Sequence, residues 1–360
     1  MSKRIGILTG GGDCPGLNAV IRAVVLHAEV TLGWDVIGIE DGFAGMYEAR
    51  YVDLTPHSVA NLVARGGTVL GSSNRANPFH YPIKKPGGGE EIRDVSDECI
   101  ANLAVLDLEG LVLVGGDGTM SIGKKLMAKG LKVVGVPKTI DNDLEATEYT
   151  VGFQTAVEVA SEAIDRLHTT AESHDRIIIC EVMGRYAGWI AMAAGLAGAA
   201  DVILIPEHEY DLERVLSYLH KKHEGRSSYS IIVVAEGARP KGGGVAILRK
   251  GDATQQERLG GAGQVLSEMI AARTEYDVRV TVLGHIQRGG APCAFDRLLA
   301  TRFGARAVDL IRDGRYGEVA ALRSGEIVSA PLDQAVAKLK LVDPAGQMVH
   351  AARSLGIELG

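Results

Sequence analysis

Five strings in the sequence hold residues able to grip phosphate or move a proton. Gly10-Gly11-Gly12-Asp13-Cys14-Pro15-Gly16 lies between an apolar run at 5–9 and a helical pattern beginning at 17. A strand–glycine–helix junction of this kind offers backbone N–H groups and a helix N-terminus to an anion. A plain tight turn is the alternative. The spacing is G-x-G-x-x-x-G, which is not the dinucleotide fingerprint. In Leu111-Val112-Leu113-Val114-Gly115-Gly116-Asp117-Gly118-Thr119 an apolar run delivers a single carboxylate, Asp117, among glycines. Such a carboxylate suits magnesium, which takes few protein ligands and completes its shell with substrate phosphates and water. Gly118 to Lys124 also spells G-x-x-x-x-G-K, but Lys125 stands where a P-loop needs serine or threonine. Lys124 is therefore expected on a solvated helix face.

Pro137-Lys138-Thr139-Ile140-Asp141-Asn142-Asp143 places two carboxylates two residues apart after another apolar run. One can take a proton from a hydroxyl while the other supports geometry or metal. An Asx turn that caps the next helix is the alternative. Cys180-Glu181-Val182-Met183-Gly184-Arg185-Tyr186-Ala187-Gly188-Trp189 and Leu283-Gly284-His285-Ile286-Gln287-Arg288-Gly289-Gly290 each put an arginine beside glycine after a strand. That is a setting for bidentate phosphate capture. Arg176 and Arg279 stand at the starts of the same two runs. Each arginine alone has a surface ion pair as its alternative, and His285 alone has a structural role.

Positioning these strings requires a regular scaffold. Strands are expected at 5–9, 35–39, 111–114, 132–136, 176–182, 201–205, 230–235 and 279–283. Helices are expected at about 17–31, 119–129, 154–171, 186–198, 211–222, 260–274 and 296–312. Alternating strands and helices predict an α/β protein of two Rossmann-like α/β/α domains, with mostly parallel sheets and ligands at the carboxyl ends of the strands. The natural division falls near 150. The glycine-rich polar stretch 237–263 is expected to be a long loop or hairpin insertion.

Composition narrows the partners. Of 360 residues, 46% are apolar and 23% charged, so whole-chain disorder is excluded. The net charge of −7 gives no basic excess for general nucleic-acid binding. Cys14, Cys99, Cys180 and Cys293 form no C-x-x-C pair, so neither a disulfide framework nor a zinc knuckle is indicated. No signal peptide or membrane-length apolar run is evident, and a cytoplasmic protein is expected. The 46 glycines exceed the usual ~7% and cluster after apolar runs, as ligand loops do.

Taken together, GGGDCPGLNAVIR, GGTVLGSS, GGDGT, PKTIDND, RIIICEVMGRYAG, VVAEGA and TVLGHIQRGG, in this order over about 3–310, resemble the 6-phosphofructokinases. The resemblance implies phosphoryl transfer with Mg2+ to the 1-hydroxyl of fructose 6-phosphate, in a cleft between two domains. Residues 1–152 with about 287–337 would bind the donor phosphates. Residues 153–286 with about 338–360 would bind the sugar phosphate. By motif position Asp141 would accept the hydroxyl proton, with Thr139 and Arg185 beside it, and Asp117 would hold the metal. Gly12, Arg75, Gly116, Asp117, Gly118 and Thr119 would line the donor site. Thr139, Ile140, Asp141, Met183, Gly184, Arg185 and Glu236 would hold the sugar, and His285 and Arg288 its 6-phosphate. Arg176 and Arg279 match arginines that reach a neighbouring subunit's site, which implies a homo-oligomer, dimer or tetramer.

Two positions bear on the donor. Gly118, where pyrophosphate enzymes of the family carry aspartate, leaves room for the α-phosphate of ATP. Lys138, where typical bacterial ATP enzymes carry glycine, suits pyrophosphate. A carboxylate would repel the α-phosphate and a lysine need not, so ATP is the expected donor and pyrophosphate the alternative. The first helix carries Arg22 but Leu26 one turn on, where the family's bacterial effector site uses paired arginines. Control by ADP or phosphoenolpyruvate is therefore not expected. A NAD or lipid kinase sharing only GGDGT, and a non-catalytic sugar-phosphate sensor, remain as other readings.

Overall fold

The computed structural model describes residues 2–85, 87–225, 229–251 and 257–360. Its larger sheet is built on β1 (Arg4–Thr9), β2 (Asp35–Ile39), β3 (Tyr51–Leu54), β6 (Leu108–Gly115) and β7 (Val133–Pro137). Between β3 and β6 lies a separate hairpin of β4 (Tyr81–Lys84) and β5 (Glu90–Arg93). The smaller sheet holds β8 (Ile177–Val182), β9 (Val202–Leu204), β10 (Ser230–Ala235) and β13 (Val278–Val282). The stretch 237–263 contains the short antiparallel pair β11 (Ile247–Arg249) and β12 (Arg258–Leu259). Residues 252–256 of that stretch lie outside the described residues. The chain then returns to the larger sheet with β14 (Glu318–Arg323) and β15 (Glu326–Pro331).

The larger sheet runs β15-β14-β7-β6-β1-β2-β3. Its inner strands are parallel, and antiparallel β3 and β15 close its edges. The smaller sheet runs β13-β8-β10-β9 and is parallel throughout. β7, β8 and β10 are buried along their whole length, as parallel strands covered on both faces must be. Their runs are accordingly apolar without alternation.

Helices α1 (Leu17–Leu26), α2 (Phe43–Glu48), α3 (Ser96–Ala104) and α4 (Asp117–Ala128) precede the long α5 (Phe153–Ser173). Next come α6 (Trp189–Ala197), α7 (Leu212–His223), α8 (Ala262–Ala271), α9 (Ala294–Arg312), α10 (Leu332–Ala335) and α11 (Gln347–Ser354). One apolar cluster runs from Ile7 and Val112 of the larger sheet, through Ala156, Ala160 and Ile164 of α5, to Ile178 and Val233 of the smaller. α5 thus ties the sheets into one body.

Several boundaries differ from expectation for local reasons. The first helix widens into a π-helical turn at His27–Leu32 and stops at Gly33, which has φ +68°. The helix expected from 186 starts at Trp189, because Arg185 takes a left-handed backbone. The helix expected from 260 starts at Ala262, because Gly260 and Gly261 have positive φ. All four cysteines are free thiols. Among the described residues no helix is long and apolar enough to cross a membrane.

Candidate active site

The order β7-β6-β1 puts three carboxyl ends side by side, and β13-β8-β10 does the same in the smaller sheet. Registers bring the tips level, with Thr9 beside Val114 and Gly115 beside Pro137. Ala235 likewise stands beside Val182. Gly12, Gly116–Thr119 and Lys138–Asp143 therefore leave one row of tips. Met183–Arg185, Glu236 and His285–Arg288 leave the other.

The glycine loops form the first wall. Gly116 caps α4 without a side-chain partner, and the first helical bond runs from Met120 to the Gly116 carbonyl at 3.0 Å. The N–H groups of Asp117, Gly118 and Thr119 thus lack acceptors within the helix, which suits an anion. No heavy atom lies within 4 Å of where a Cβ on Gly118 would stand. The Thr119 side chain is buried, and a Cβ on Gly10 would sit 2.6 Å from its hydroxyl. Thr119 therefore faces the loop packing and offers a ligand only its main chain.

Asp141 is 5% exposed, and its Oδ1 has no hydrogen-bond partner. Its N–H donates to Thr139 Oγ1 at 3.1 Å, fixing the turn. Burial pushes its carboxyl above the ordinary range, while Arg288, Arg185 and Lys138 oppose the rise. Asp143 is pushed up to about 7 by burial and by Asp141, with Asp117 adding to the rise. Asp117 is half-buried and also raised by burial, with Arg185 opposing. Arg185 thus opposes the rise at all three carboxylates. Lys138 is buried and donates to the Gly12 carbonyl. Burial lowers its pKa, and Arg288 lowers it further.

Arg185 has φ +53°, a conformation that costs a non-glycine residue about 1–2 kcal/mol. Its N–H donates to Glu236 Oε1 at 3.0 Å. The carbonyl presses so close to Gly237 that a Cβ there would fall 2.0 Å away. Carboxylate and glycine together hold the arginine in place. Burial pushes Glu236 up to about 7. Ile140 is fully buried beneath the turn and Met183 packs at the core edge. Arg288 Nη1 donates to the Asp13 carbonyl at 3.2 Å, and a Cβ on Gly12 would lie 2.9 Å from it. His285 is exposed one turn earlier.

Three expected residues are engaged with other partners. Arg75 is exposed and pairs with Glu90 of the β4–β5 hairpin at 2.8 Å. Arg176 and Arg279 lie toward the amino ends of β8 and β13, about 20 Å and about 13 Å of strand from the carboxyl tip at Val182. Both pair there with Asp277, Arg176 at 2.7 Å. Lys124 faces solvent and pairs with Asp333 at 3.0 Å, as expected of a surface lysine.

Sequence reading missed other groups. Asp143 had no role beyond partnering Asp141. Asp296 of α9 is fully buried and accepts the N–H groups of Gly152 at 3.0 Å and Thr155 at 2.7 Å, capping α5. Its partners are 144 and 141 residues away, so no local pattern marks it. Glu181 accepts the N–H groups of Gly261 and Gly263 at 3.0 and 2.8 Å, pinning the end of the 237–263 insertion to β8.

The phosphofructokinase pattern matches residues 4–311. The chain belongs to the phosphofructokinase family. It is 52% identical over 345 residues to the pyrophosphate–fructose 6-phosphate 1-phosphotransferase of Streptomyces coelicolor, covering 95% of this chain and 97% of that one. It is 47% identical over 357 residues to the ATP-dependent 6-phosphofructokinase 2 of Clostridium perfringens, covering 99% and 98%. The solved phosphofructokinase of Saccharomyces cerevisiae matches with a TM-score of 0.77 at 28% identity, over 93% of this chain and 45% of that one. The class expected from the motifs, a phosphotransferase with an alcohol acceptor, stands. A kinase sharing only the GGDGT loop does not fit a match that runs through both sheets.

Proposed function

We propose that the protein transfers the terminal phosphoryl group of ATP to the 1-hydroxyl of fructose 6-phosphate, giving fructose 1,6-bisphosphate, as a cytoplasmic step of glycolysis. The observation that carries this is the buried Asp141, whose Oδ1 has no partner, together with the Arg288–Asp13 bond that ties the two rows of strand tips. Phosphoryl transfer has a loose transition state, so positioning and charge stabilisation do most of the work. Buried, unpartnered Asp141 Oδ1 takes the hydroxyl proton, and Thr139 fixes the turn that aims it. Arg185 stabilises the group in transit. Thr139, Ile140, Met183, Gly184 and Glu236 hold the sugar. Glu236, being partly protonated near neutrality, both donates and accepts. His285 and Arg288 bind the 6-phosphate.

Gly12, Gly116, Gly118 and Thr119 cradle the donor phosphates through backbone N–H groups, with Arg75 at the rim. Among the described residues no three acids, histidines or cysteines could cage a metal. One carboxylate at a strand tip fits magnesium that arrives with phosphates. Asp117 would hold it, and the ion would neutralise charge on the donor oxygens. The division of labour follows the two sheets: 1–152 with about 287–337 for the donor, and 153–286 with about 338–360 for the sugar.

Open space around Gly118 favours ATP. The Lys138 cation against the Gly12 loop favours the second reading, the same transfer from pyrophosphate. Arg176 and Arg279, far from this chain's crevice, serve the crevice of a second copy in a dimer or tetramer. The test is product identification. Incubation with ATP, Mg2+ and fructose 6-phosphate, followed by 31P NMR, should show a new phosphate ester at C1. Phosphate bound without turnover would instead favour a sugar-phosphate sensor.

A further inference from the structure

The C-terminal segment is anchored on the smaller sheet. Glu358 bridges Val202, and the Ile203 N–H donates to the Glu358 carbonyl at 2.9 Å. Upstream, the same segment crosses to the opposite wall of the crevice. Leu339 bridges Leu144, and the Lys340 N–H donates to the Asp143 carbonyl at 2.9 Å. The Lys340 ammonium reaches Asn142 Oδ1 at 3.0 Å, the Thr147 carbonyl at 2.9 Å and the Glu148 carbonyl at 2.8 Å. Three donors thus meet three acceptors, all on the turn that follows Asp141.

The carbonyl of Lys340 faces the other way. It accepts the Trp189 indole N–H at 2.8 Å, and the Lys340 ammonium lies 5.5 Å from the ring centroid. Trp189 opens α6, four residues after Arg185. Two residues on, the Val342 N–H donates to Glu207 Oε1 at 2.8 Å, and the same oxygen takes the Gly188 N–H at 2.9 Å. One residue of the C-terminal strap therefore touches both reactive turns.

We propose that Lys340 is a positioning residue that sets the span between Asp141 and Arg185, its ammonium and N–H fixing one turn and its carbonyl the other. Asn142 explains why the ammonium matters. It separates Asp141 from Asp143, has φ +52°, and is held by its own oxygen, which also takes the Thr150 N–H at 3.1 Å. Without the ammonium, the Thr147 and Glu148 carbonyls lose their shared donor, and the left-handed residue loses one of its restraints. The charges facing Lys340 are Asp143, Glu145 and Glu148; Lys338 pairs with Glu145 at 3.3 Å. From the α6 side it meets the uncharged Trp189 ring, with Glu207 beyond. Burial brings the Lys340 ammonium down to about 8. Above that pH it keeps two donors for three acceptors.

This inference rests on the proposed reaction, and one assay separates the two. The full chain carrying Lys340→Met is assayed with fructose 6-phosphate beside the wild type, and its thermal midpoint is recorded. Small displacements of reacting groups cost up to about a hundredfold in rate, so kcat per folded molecule should fall about 10- to 100-fold while KM for the sugar stays within about threefold. The wild-type loss of kcat above pH ~8 should vanish in the variant, and ethylammonium should partly restore Lys340→Ala. Unchanged kcat would overturn the proposal. If neither Lys340 variant folds, Trp189→Phe decides: losing one hydrogen bond should lower kcat about threefold or more, and an unchanged kcat overturns the role. An inactive wild type would sink the proposed reaction; an active wild type with an equally active variant sinks only the positioning role.

Discussion

The Lys138 ammonium donates to the Gly12 carbonyl, which joins the start of the Asp141 turn to the first glycine loop. The bond lays a buried cation along the donor wall without closing the space above Gly118. Gly118→Asp therefore fits sterically, since nothing lies within 4 Å of the new Cβ. Its carboxylate would meet the α-phosphate of ATP, and such like-charge contacts cost several kcal/mol. KM for ATP should rise on the order of tenfold to a hundredfold, and KM for pyrophosphate far less. Steady-state kinetics with both donors checks this; unchanged ATP kinetics would refute the space argument.

Asp141→Asn keeps size but removes the carboxylate proposed as the base. A positioned base contributes about 10²- to 10⁴-fold, so kcat should fall by that order. Sugar binding, measured by calorimetry, should survive. Wild-type turnover would remove Asp141 from the proton step.

Glu236 titrates near 7 in the folded protein because burial disfavours its charge, against ~4.3 when unfolded. The native state thus binds more protons between those values. Stability from this group is present below pH ~4.3 and is lost as pH rises through about 7. Thermal midpoints of wild type and Glu236→Gln should diverge across that window, the wild type declining more steeply. Parallel curves would contradict the burial of its charge.

Arg279 shares Asp277 with Arg176 at the strand ends away from the crevice. If it serves a second copy, Arg279→Ala should raise KM for fructose 6-phosphate about tenfold or more, as loss of a hydrogen bond to a charged group does, with kcat little changed. An unchanged KM would remove it from the site.

The chain's legibility followed the range of its contacts. β1, β2 and β10 are apolar runs with a glycine within three residues of their carboxyl ends, and both signals are local. The five strings lie at strand ends, so a correct strand assignment already places them on two rims. The β14–β15 hairpin turns on Ser324 and Gly325, both at positive φ. That signal was present but weak beside its mixed strand sequence. Arg185 sits in a left-handed turn because of Glu236 and Gly237, fifty residues on. Asp296 and Lys340 hold the site through partners more than a hundred residues away, and no spacing rule reaches so far. Arg75 lies near the donor loops in sequence, yet it is drawn to Glu90 by a hairpin that was not anticipated.

The most direct test of a crevice built for phosphoryl transfer is a pair of initial rates on the wild-type protein. Fructose 6-phosphate and Mg2+ are supplied with ATP in one reaction and with pyrophosphate in the other. Phosphorylation at C1 is expected, faster with ATP. A higher rate with pyrophosphate would reverse the donor assignment, and no phosphorylated sugar from either donor would contradict the whole account.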